Sequence, residues 1–254
     1  MVVERYPTEQ TVLRPAPLVF RSLFPLLSPV CIDVIVDCPF EYRGMTPDML
    51  QTVALSCLRG DRRLFSGLNV TVQPGTLLAV VGENGSGKTS LLRMLSSLLS
   101  PEDGAILWHG QDIREQREQY CAQLTYIGHL NGIKDDLSAM ENLTLSASLA
   151  GDHCDGPAAH AALEAVGLRA QTHQLPTKVL SQGQKRRVAL ARLWLSARPL
   201  WLLDEPFTSL DTAATGLVTE QLHAHLKRGG IAVVVTHQEV GLPSSIVQRL
   251  RMNG

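Results

Sequence analysis

The amino-acid sequence predicts an α/β domain built on a parallel sheet, with a helical insertion in its middle. Three continuous apolar runs of strand length, at 76–81, 200–203 and 231–235, are typical of strands buried on both faces. Between the first and second of these runs, residues 134–198 read as mostly helical. Strands that alternate with helical segments in this order favour a parallel sheet connected through helices.

The first half of the pattern contains the strands that lead to the first apolar run. Residues 52–58 read as a strand, and residues 68–72 alternate apolar and polar side chains as a half-exposed strand does. Turn residues at 59–63 separate them, and Pro74-Gly75 forms a second turn. A helix is predicted beyond the first apolar run because leucines recur there at helical spacing, namely Leu91, Leu92, Leu95, Leu98 and Leu99.

The second half of the pattern adds short strands, several helices and a closing strand. Strands are predicted at 105–108 and 123–127, and helices at 141–149, 157–166 and 184–197. A further helix carries Val218, Leu222 and Leu226 at intervals of four residues, and Gly229-Gly230 ends it. The run 231–235 is predicted to be the last buried strand.

Length and composition exclude several classes of protein. The chain has 254 residues, 44% of them hydrophobic and 19% charged, with a formal net charge of −1. This balance gives no overall electrostatic signal for nucleic acid, so no nucleic-acid partner is expected, although local basic clusters remain open. The five cysteines lack metal-ligand spacing and are interpreted as reduced thiols. No apolar run approaches the roughly 20 residues of a membrane-spanning helix, so membrane association is expected only through a partner.

Residues 1–48 differ from the rest of the chain. They contain seven of the fourteen prolines and show neither helical nor alternating periodicity. We interpret them as a disordered extension, or as the product of a mis-called start codon with the true start at Met45 or Met49. An amphiphilic anchor or a regulatory tail is the alternative. The folded domain is accordingly predicted over 49–254, with a helical subdomain at about 130–198.

A glycine-rich loop directly follows the first apolar run. It reads Gly82-Glu83-Asn84-Gly85-Ser86-Gly87-Lys88-Thr89 and fits the G-x-x-x-x-G-K-[ST] phosphate-binding pattern without a mismatch. The glycines let the backbone curl so that N–H groups point at a phosphate, and the following helix adds its positive N-terminus. Lys88 is expected to reach the β- and γ-phosphates, and the Thr89 hydroxyl to bind Mg²⁺. The chain is therefore predicted to bind a nucleoside triphosphate.

An acidic pair lies at the end of the second apolar run, in Leu202-Leu203-Asp204-Glu205. Ligands of open α/β sheets lie at the carboxyl ends of the strands, which is where this pair falls. Asp204 is predicted to hold the Mg²⁺ shell, and Glu205 to act as the general base for the attacking water. A simple helix-capping role for the pair is the alternative.

Three further motifs complete the pattern: Ser181-Gln182-Gly183-Gln184, Ser209-Leu210-Asp211, and His237 just after the third apolar run. Ser181 and the N–H groups at Gly183 open a predicted helix and form another anion-binding terminus. Together with the phosphate loop and the acidic pair, these motifs resemble the ATP-binding subunits of the ATP-binding cassette (ABC) transporter family. Gln182 departs from the commonest form of the signature motif, which has glycine at that position.

The resemblance implies a P-loop NTPase fold of the ABC type, with a mainly parallel sheet core, a small antiparallel β subdomain and an inserted helical subdomain. It also implies a head-to-tail homodimer in which the signature residues Ser181 to Gln184 close on the γ-phosphate bound by the other copy. His237 would contact that phosphate and help to position water, and Asp211 would connect the two sites. The implied reaction is hydrolysis of ATP with Mg²⁺.

Several local runs narrow the resemblance to one branch of the family. The runs at 127–143, 187–196 and 201–211 are similar to the haem-exporter ATP-binding subunits of cytochrome c maturation, and the resemblance covers about 49–241. This branch implies a CcmB-like membrane subunit and CcmC-, CcmD- and CcmE-like partners. It implies a peripheral location on the cytoplasmic side of the bacterial inner membrane, and a role in haem export or in release of the haem chaperone. It also favours Met49 as the start.

Two departures from the family pattern affect the site. His129 stands near the position of the family's Mg²⁺-sensing glutamine and is expected to replace it, whereas Leu130 occupies the place where related sequences have that glutamine. The adenine-stacking aromatic residue is absent, and Arg59 is expected to stack on the base instead. Ser90, which directly follows the phosphate loop, is also predicted to bind the nucleotide. For the basic run Lys185-Arg186-Arg187, a solvated helix face and a partner contact remain equally open.

Three other functions remain open at this point. The chain could serve a transporter of another small substrate, act as a soluble ABC ATPase on DNA or ribosomes, or be a nucleotide-binding switch without turnover. The soluble class typically has two cassettes, coiled-coil insertions or basic tails, and this sequence shows none of them. The presence of Asp204, Glu205 and His237 argues against the switch.

Overall fold

The computed structural model describes residues 49–252, so the interpretation of residues 1–48 lies outside the described residues. Within 49–252, no helix is both long enough and apolar enough to cross a membrane. The strands are β1 (Leu50–Arg59), β2 (Arg62–Val72), β3 (Leu77–Gly82), β4 (Asp103–Trp108), β5 (Gln111–Asp112), β6 (Leu124–Ile127), β7 (Leu200–Asp204), β8 (Ile231–Val235) and β9 (Val247–Met252). The α-helices are α1 (Lys88–Leu95), α2 (Arg117–Ala122), α3 (Ala139–Ala150), α4 (Gly156–Ala165), α5 (Gln182–Leu190), α6 (Arg192–Leu195) and α7 (Thr212–Lys227).

A four-stranded antiparallel sheet has the order β2-β1-β4-β5. Its first hairpin is tighter than the sequence predicted, because Arg59 already pairs with Arg62 and only Gly60-Asp61 form the turn. Gly60 has φ 59°, a conformation that suits glycine in such two-residue turns. Strand β2 consequently begins at Arg62, six residues before the predicted strand.

A five-stranded parallel sheet has the order β6-β7-β8-β3-β9. Every residue of β7 and β8 is buried, as the continuous apolar runs predicted. The run 231–235 is the last strand buried along its whole length, but the sequence analysis missed one later strand, β9, which pairs with β3 along the sheet edge. An edge strand faces solvent with much of its length, so its polar sequence VQRLRM gave no buried-strand signal.

Two apolar cores lie on opposite faces of the parallel sheet. Along β7 and β8, successive residues join different cores: Trp201 and Leu203 pack into one, and Leu200 and Leu202 into the other. The first core includes residues of α3, α4, α5 and α7, and the second includes α1 and the antiparallel sheet. This division explains why the central strands are apolar on both faces.

Helix α1 is shorter than the leucine pattern predicted. It ends at Leu95, Ser96 caps it, and Ser97 adopts φ 58°, which turns the chain away. Leu98 and Leu99 therefore lie beyond the helix, and both are exposed. The predicted helix at 184–197 is likewise two helices, α5 and α6, because the Trp194 N–H bonds to the Ala191 carbonyl three residues back.

The helices α3 to α6 all lie between β6 and β7 in the chain, where the insertion was predicted. Helix α3 begins with a capping box, in which Ser138 and Glu141 satisfy each other's backbone N–H groups. Asp155 caps α4 through the N–H of Ala158. The mixed fold of a parallel and an antiparallel sheet with inserted helices confirms the predicted fold class.

Candidate nucleotide-binding and catalytic site

The phosphate loop occupies the turn between β3 and α1, at the carboxyl end of the parallel sheet. Gly85 and Gly87 have φ values of 83° and 98°, which is the region that glycine tolerates. Gly87 caps α1 without any side-chain hydrogen bond, so the first N–H groups of the helix keep their donors for a ligand. This local structure leaves the start of α1 open to an anion, and the binding itself stays a prediction.

Lys88 folds back over the loop that precedes it. Its Nζ donates to the carbonyl oxygens of Gly82 at 2.9 Å and Glu83 at 2.8 Å, and the side chain is 7% exposed. The Ser86 hydroxyl is buried and has no hydrogen-bond partner among the described residues. A buried donor without a partner is costly, so the loop interior is built to receive a polar ligand.

The acidic pair lies where β7 ends, beside the phosphate loop. Asp204 is 1% exposed, and its Oδ2 has no hydrogen-bond partner within 49–252. Glu205 has φ 50°, which is uncommon for a residue with a side chain, and its N–H donates to the Val235 carbonyl at 2.9 Å. His237 Nε2 lies 3.3 Å from Glu205 Oε1. Glu205 and His237 are thus neighbours, and Asp204 lines the same cleft.

One cleft of about 480 Å³ brings most of the predicted site residues together. From the loop and helix α1 it is lined by Asn84, Gly85, Gly87, Lys88, Thr89 and Ser90, and from elsewhere by Arg59, His129, Asp204, Glu205 and His237. Leu64 and Thr208 also line it and were missed in the sequence. Gly82, Glu83 and Ser86 belong to the loop but do not line the cleft.

The signature residues do not line this cleft within one copy of the chain. Ser181 caps α5 in a capping box: its Oγ accepts from the Gln184 N–H at 3.2 Å, and Gln184 Oε1 accepts from the Ser181 N–H at 2.8 Å. A Cβ on Gly183 would lie 2.5 Å from the Ser209 carbonyl oxygen, so only glycine allows this close approach. The start of α5 therefore packs directly on the Ser209–Asp211 segment.

Asp211 also lies outside the cleft and has two local roles. Its carboxylate caps α7 by accepting from the Ala214 N–H at 2.8 Å, and it pairs with Arg187 at 2.7 Å. The backbone hydrogen bond from Ala214 is the main reason that the Asp211 pKa is lowered, and the Arg187 charge adds to it. Asp211 thereby connects α5 with α7.

The basic run after the signature is not a uniformly solvated face. Arg186 is 3% exposed and donates to backbone oxygens behind the acidic pair, whereas Lys185 pairs with the exposed Asp135 at 2.6 Å. Burial lowers the pKa of Arg186, and the charges of Asp204 and Glu205 oppose that shift. Sequence reasoning missed this role because three consecutive basic residues gave no signal that the middle one is buried.

His129 lines the cleft, whereas Leu130 does not and is 84% exposed. Leucine also has no amide group, so Leu130 does not provide the function of the family's glutamine. Arg59, at the end of β1, reaches the cleft from the antiparallel sheet. Both placements agree with the roles predicted for His129 and Arg59 and leave those roles as predictions.

The residues present fit a divalent cation of the Mg²⁺ type. Asp204 Oδ2 is buried without a partner, and Thr89 lines the same cleft. A carboxylate and a hydroxyl oxygen are the hard ligands that Mg²⁺ prefers, with phosphates and water completing the shell. An orphaned carboxylate oxygen in a buried position is explained by such a cation.

Known proteins resemble this chain over most of its length. Residues 65–208 match the family model described as ABC transporter. The cytochrome c biogenesis ATP-binding export protein CcmA of Nitrosospira multiformis is 51% identical over 80% of this chain and 98% of that protein. The CcmA of Pseudomonas aeruginosa is 46% identical over 80% of this chain and 99% of that protein.

A solved structure of an ATP-binding subunit of an ABC transporter is also similar. It has a TM-score of 0.65 at 25% identity, over 74% of this chain and 80% of the other. The fold and the phosphate-loop site define an ATP-binding cassette. The chain belongs to the ABC transporter family, within the group of cytochrome c biogenesis ATP-binding proteins named CcmA. The resemblance stated from the motifs is thereby confirmed.

Proposed function

We propose that this chain is the ATP-hydrolysing subunit of a membrane ABC complex that serves c-type cytochrome biogenesis. The observation that carries the enzymatic part is the cluster at the phosphate loop, where Glu205 lies 3.3 Å from His237 beside Asp204. The biological part is supported by about 50% identity to proteins named for cytochrome c biogenesis export. Haem export and release of a haem chaperone are the two tasks that we consider for the complex.

ATP is bound by the loop Gly82 to Thr89, by Ser90 and by Arg59. The backbone N–H groups at the start of α1 bind the phosphates, and Lys88 moves its ammonium from the loop carbonyls to the phosphate oxygens. Arg59 stacks its guanidinium plane on the base. Thr89 and Asp204 hold Mg²⁺, which supplies charge neutralisation for the phosphates when it is bound.

Glu205 accepts a proton from the attacking water. Its carboxylate is oriented by a backbone fixed at φ 50°, with the N–H held by Val235. His237, at 3.3 Å from that carboxylate, orients it and contacts the γ-phosphate. Catalysis in this site is positioning and charge stabilisation and involves no covalent intermediate on the protein.

The cleft is completed by a second copy of the chain. Ser181, Gln182, Gly183 and Gln184 lie at the start of α5 and do not line the cleft of their own copy, and we propose that they close on the triphosphate of another copy. In that homodimer Asp211 transmits the state of one site to the other, since it contacts the signature helix through Arg187. Each site then uses residues of both copies.

The complex places this chain at the cytoplasmic face of the bacterial inner membrane as a peripheral subunit. A CcmB-like integral membrane subunit is its direct partner, and CcmC-, CcmD- and CcmE-like proteins complete the assembly. The support is the resemblance to CcmA proteins, whose names describe export. No nucleic-acid partner is included, because the net charge is −1.

The Glu205→Gln variant tests the enzymatic proposal. Loss of the general base is expected to lower ATP turnover at least about 100-fold while ATP binding is kept. With MgATP the variant should accumulate as a dimer in light scattering after size-exclusion chromatography. Glu102→Gln, which removes an exposed carboxylate outside the cleft, is the control. Normal hydrolysis by Glu205→Gln would contradict the assignment of the base.

A deletion strain tests the biological proposal separately. Loss of the protein should abolish c-type cytochromes, detected by their covalently bound haem on denaturing gels, and leave b-type cytochromes unchanged. Purification of the tagged protein from membranes should recover a small, very hydrophobic protein. Normal c-type cytochromes in the deletion strain would show that the ATPase serves another transporter.

A further inference from the structure

Arg186 connects three parts of the chain through one buried guanidinium group. It makes five hydrogen bonds: to the carbonyl oxygens of Asp204 at 2.8 Å, Glu205 at 2.9 Å, Pro206 at 3.4 Å and Gly128 at 3.0 Å, and to Asn131 Oδ1 at 3.2 Å. The first three carbonyls are consecutive and begin at the last residue of β7, and the other two acceptors follow β6. The side chain itself comes from α5, five residues after Ser181.

These acceptors lie at two adjacent carboxyl ends of the parallel sheet, since β6 and β7 are neighbours. One end leads to the acidic pair and the other to His129, and both line the cleft. The planar guanidinium of Arg186 holds its N–H donors in a fixed arrangement, so it sets the distance between the segment after β6 and the segment at the end of β7. The flexible ammonium of a lysine could not hold these two segments in one geometry.

The bonds to Asp204 and Glu205 act on a strained part of the backbone. Glu205 adopts φ 50°, and its two peptide groups are held from opposite sides: the N–H by Val235, and the carbonyl by Arg186. A residue with a side chain keeps such a conformation only where its surroundings over-determine it. The direction of the Glu205 carboxylate toward His237 therefore depends on the bond from Arg186.

The cation has no ion-pair partner of its own in the part of the chain that the structure describes. Its acceptors are backbone carbonyls and an amide oxygen, and the two nearest carboxylates act at a distance. Burying a cation without a direct carboxylate partner is expensive, and an apolar residue would pack at lower cost. Arg186 nevertheless occupies this position, and two of its hydrogen bonds go to the backbone carbonyls of Asp204 and Glu205. A side chain that served only for packing would not need these bonds.

We infer that Arg186 is a positioning residue for hydrolysis: it fixes the backbone of Asp204 and Glu205 against the His129 segment and transmits the position of α5 to the general base. The inference rests on the proposed function. Because α5 begins with the signature residues, Arg186 gives a direct route by which a movement imposed on Ser181 by a second copy reaches Glu205. Arg186 itself does not touch the nucleotide cleft.

Steady-state ATP hydrolysis by the full-length protein tests this role. Arg186→Gln is expected to lower kcat about 10- to 100-fold, as a displacement of the catalytic group of about 1 Å does, and to leave KM for ATP within about two-fold. Arg186→Lys keeps the charge without the fork and should have an intermediate kcat. The Kd for a fluorescent ATP analogue should be unchanged in both variants.

Two matched controls separate positioning from stability. Arg198→Gln removes another arginine that joins backbone carbonyls of separate elements, those of Ala122 and Ala150, but outside the cleft. It should lower Tm and leave kcat per folded molecule unchanged. Lys185→Gln removes the neighbouring charge, whose one ion pair within 49–252 is with Asp135, and should change neither quantity.

Three outcomes would overturn the inference. The first is that Arg186→Gln and Arg198→Gln, with the same Tm, lose kcat to the same extent. The second is an increase in KM with kcat unchanged, which would mean a role in binding. The third is full activity of Arg186→Lys, which would mean that charge alone matters. If the unmodified protein hydrolysed no ATP, the proposed function would fail instead, so the two failures are distinguishable.

Discussion

Gly82 lies at the point where β3 becomes the phosphate loop, and it is in contact with the edge strand of the sheet. A Cβ at this position would lie 2.3 Å from the Met252 carbonyl oxygen of β9 and 3.0 Å from Ser86 Oγ. The nearer obstacle is backbone, which cannot rotate away as a side chain could. The glycine is thus needed for packing as well as for the curvature of the loop.

Gly82→Ala is therefore expected to destabilise the protein by about 1–3 kcal/mol, the range for forcing extra volume into a packed site. Gly85→Ala is the matched control, since Gly85 also has positive φ but a Cβ there would meet nothing within 4 Å. Urea unfolding measures both variants. Equal losses of stability would mean that backbone strain, and not the contact with β9, requires glycine at position 82.

Some site residues can be predicted from neighbouring residues in the sequence, whereas others depend on contacts between segments that are distant in the sequence. The phosphate loop, Asp204, Glu205 and His237 were predicted because each lies at the end of an apolar strand or within two residues of it, a signal contained in a few consecutive residues. Arg186 was not identified, because its burial is created by β6, β7 and α5 meeting in space. Nothing in the run Lys185-Arg186-Arg187 distinguishes its middle member.

At the scale of elements, helix α7 contacts the sheet through an aromatic stack in addition to its apolar residues in the first core. The rings of His225 and Trp201 are parallel within 7° with centroids 3.8 Å apart, and His225 Nε2 lies 3.1 Å from the Ile231 carbonyl oxygen. The contact leaves no room at Gly230, where a Cβ would lie 2.2 Å from the imidazole. Burial is the main reason that the pKa of His225 is lowered from 6.5 to about 4, and the Arg228 charge adds to it.

This shift makes the protein less stable in acid. The unfolded chain binds a proton at His225 below its ordinary pKa of 6.5, whereas the folded chain does so only below about 4. The contribution of neutral His225 to the free energy of unfolding is therefore fully present above pH 6.5 and is lost as the pH falls toward 4. The total loss is about 3 kcal/mol.

Chemical unfolding between pH 4 and 7 tests the expectation. His225→Gln should flatten the dependence of the unfolding free energy on pH over that range. The matched control is His223→Gln, which removes a histidine of the same helix that is not buried and should leave the slope unchanged. An identical slope in His225→Gln and the unmodified protein would contradict the assignment.

Strands that are buried on both faces were predicted well, whereas partly exposed strands and the ends of helices were predicted poorly. Strands β3, β7 and β8 are buried on both faces, so their apolar runs were sufficient. Strand β9 exposes part of its length, and α1 ends at Ser96 for reasons of backbone conformation that a leucine spacing does not report. The short elements β5 and α2 have no periodicity to detect.

At the scale of the whole molecule, the proposed site is shared between two copies of the chain. If the signature acts in trans, a copy with a defective loop and an intact signature can complement a copy with the opposite defect. Lys88→Ala removes the phosphate ligand. Ser181→Asp keeps the N-cap of α5, because aspartate caps as well as serine, but places a carboxylate where the second copy's phosphate binds.

Each variant alone should hydrolyse ATP poorly, and an equimolar mixture should recover about a quarter of the unmodified turnover, since half of the dimers then contain one intact site. The ATPase rate of the mixture is the measurement. A mixture of Lys88→Ala with the double variant Lys88→Ala/Ser181→Asp serves as the control and should recover nothing. Without recovery in the first mixture, Ser181 would be a helix cap only.

The order of strands in the parallel sheet also has a consequence for biosynthesis. Strand β3, which carries the phosphate loop, is made early, yet its two neighbours are β8 and β9, which leave the ribosome much later. Until then β3 has no parallel partner, and pairings across such long sequence separations form slowly. The nascent chain therefore exposes the apolar run Leu77–Gly82 during most of its synthesis. The nucleotide site is among the first parts of the domain to be translated and among the last to be assembled.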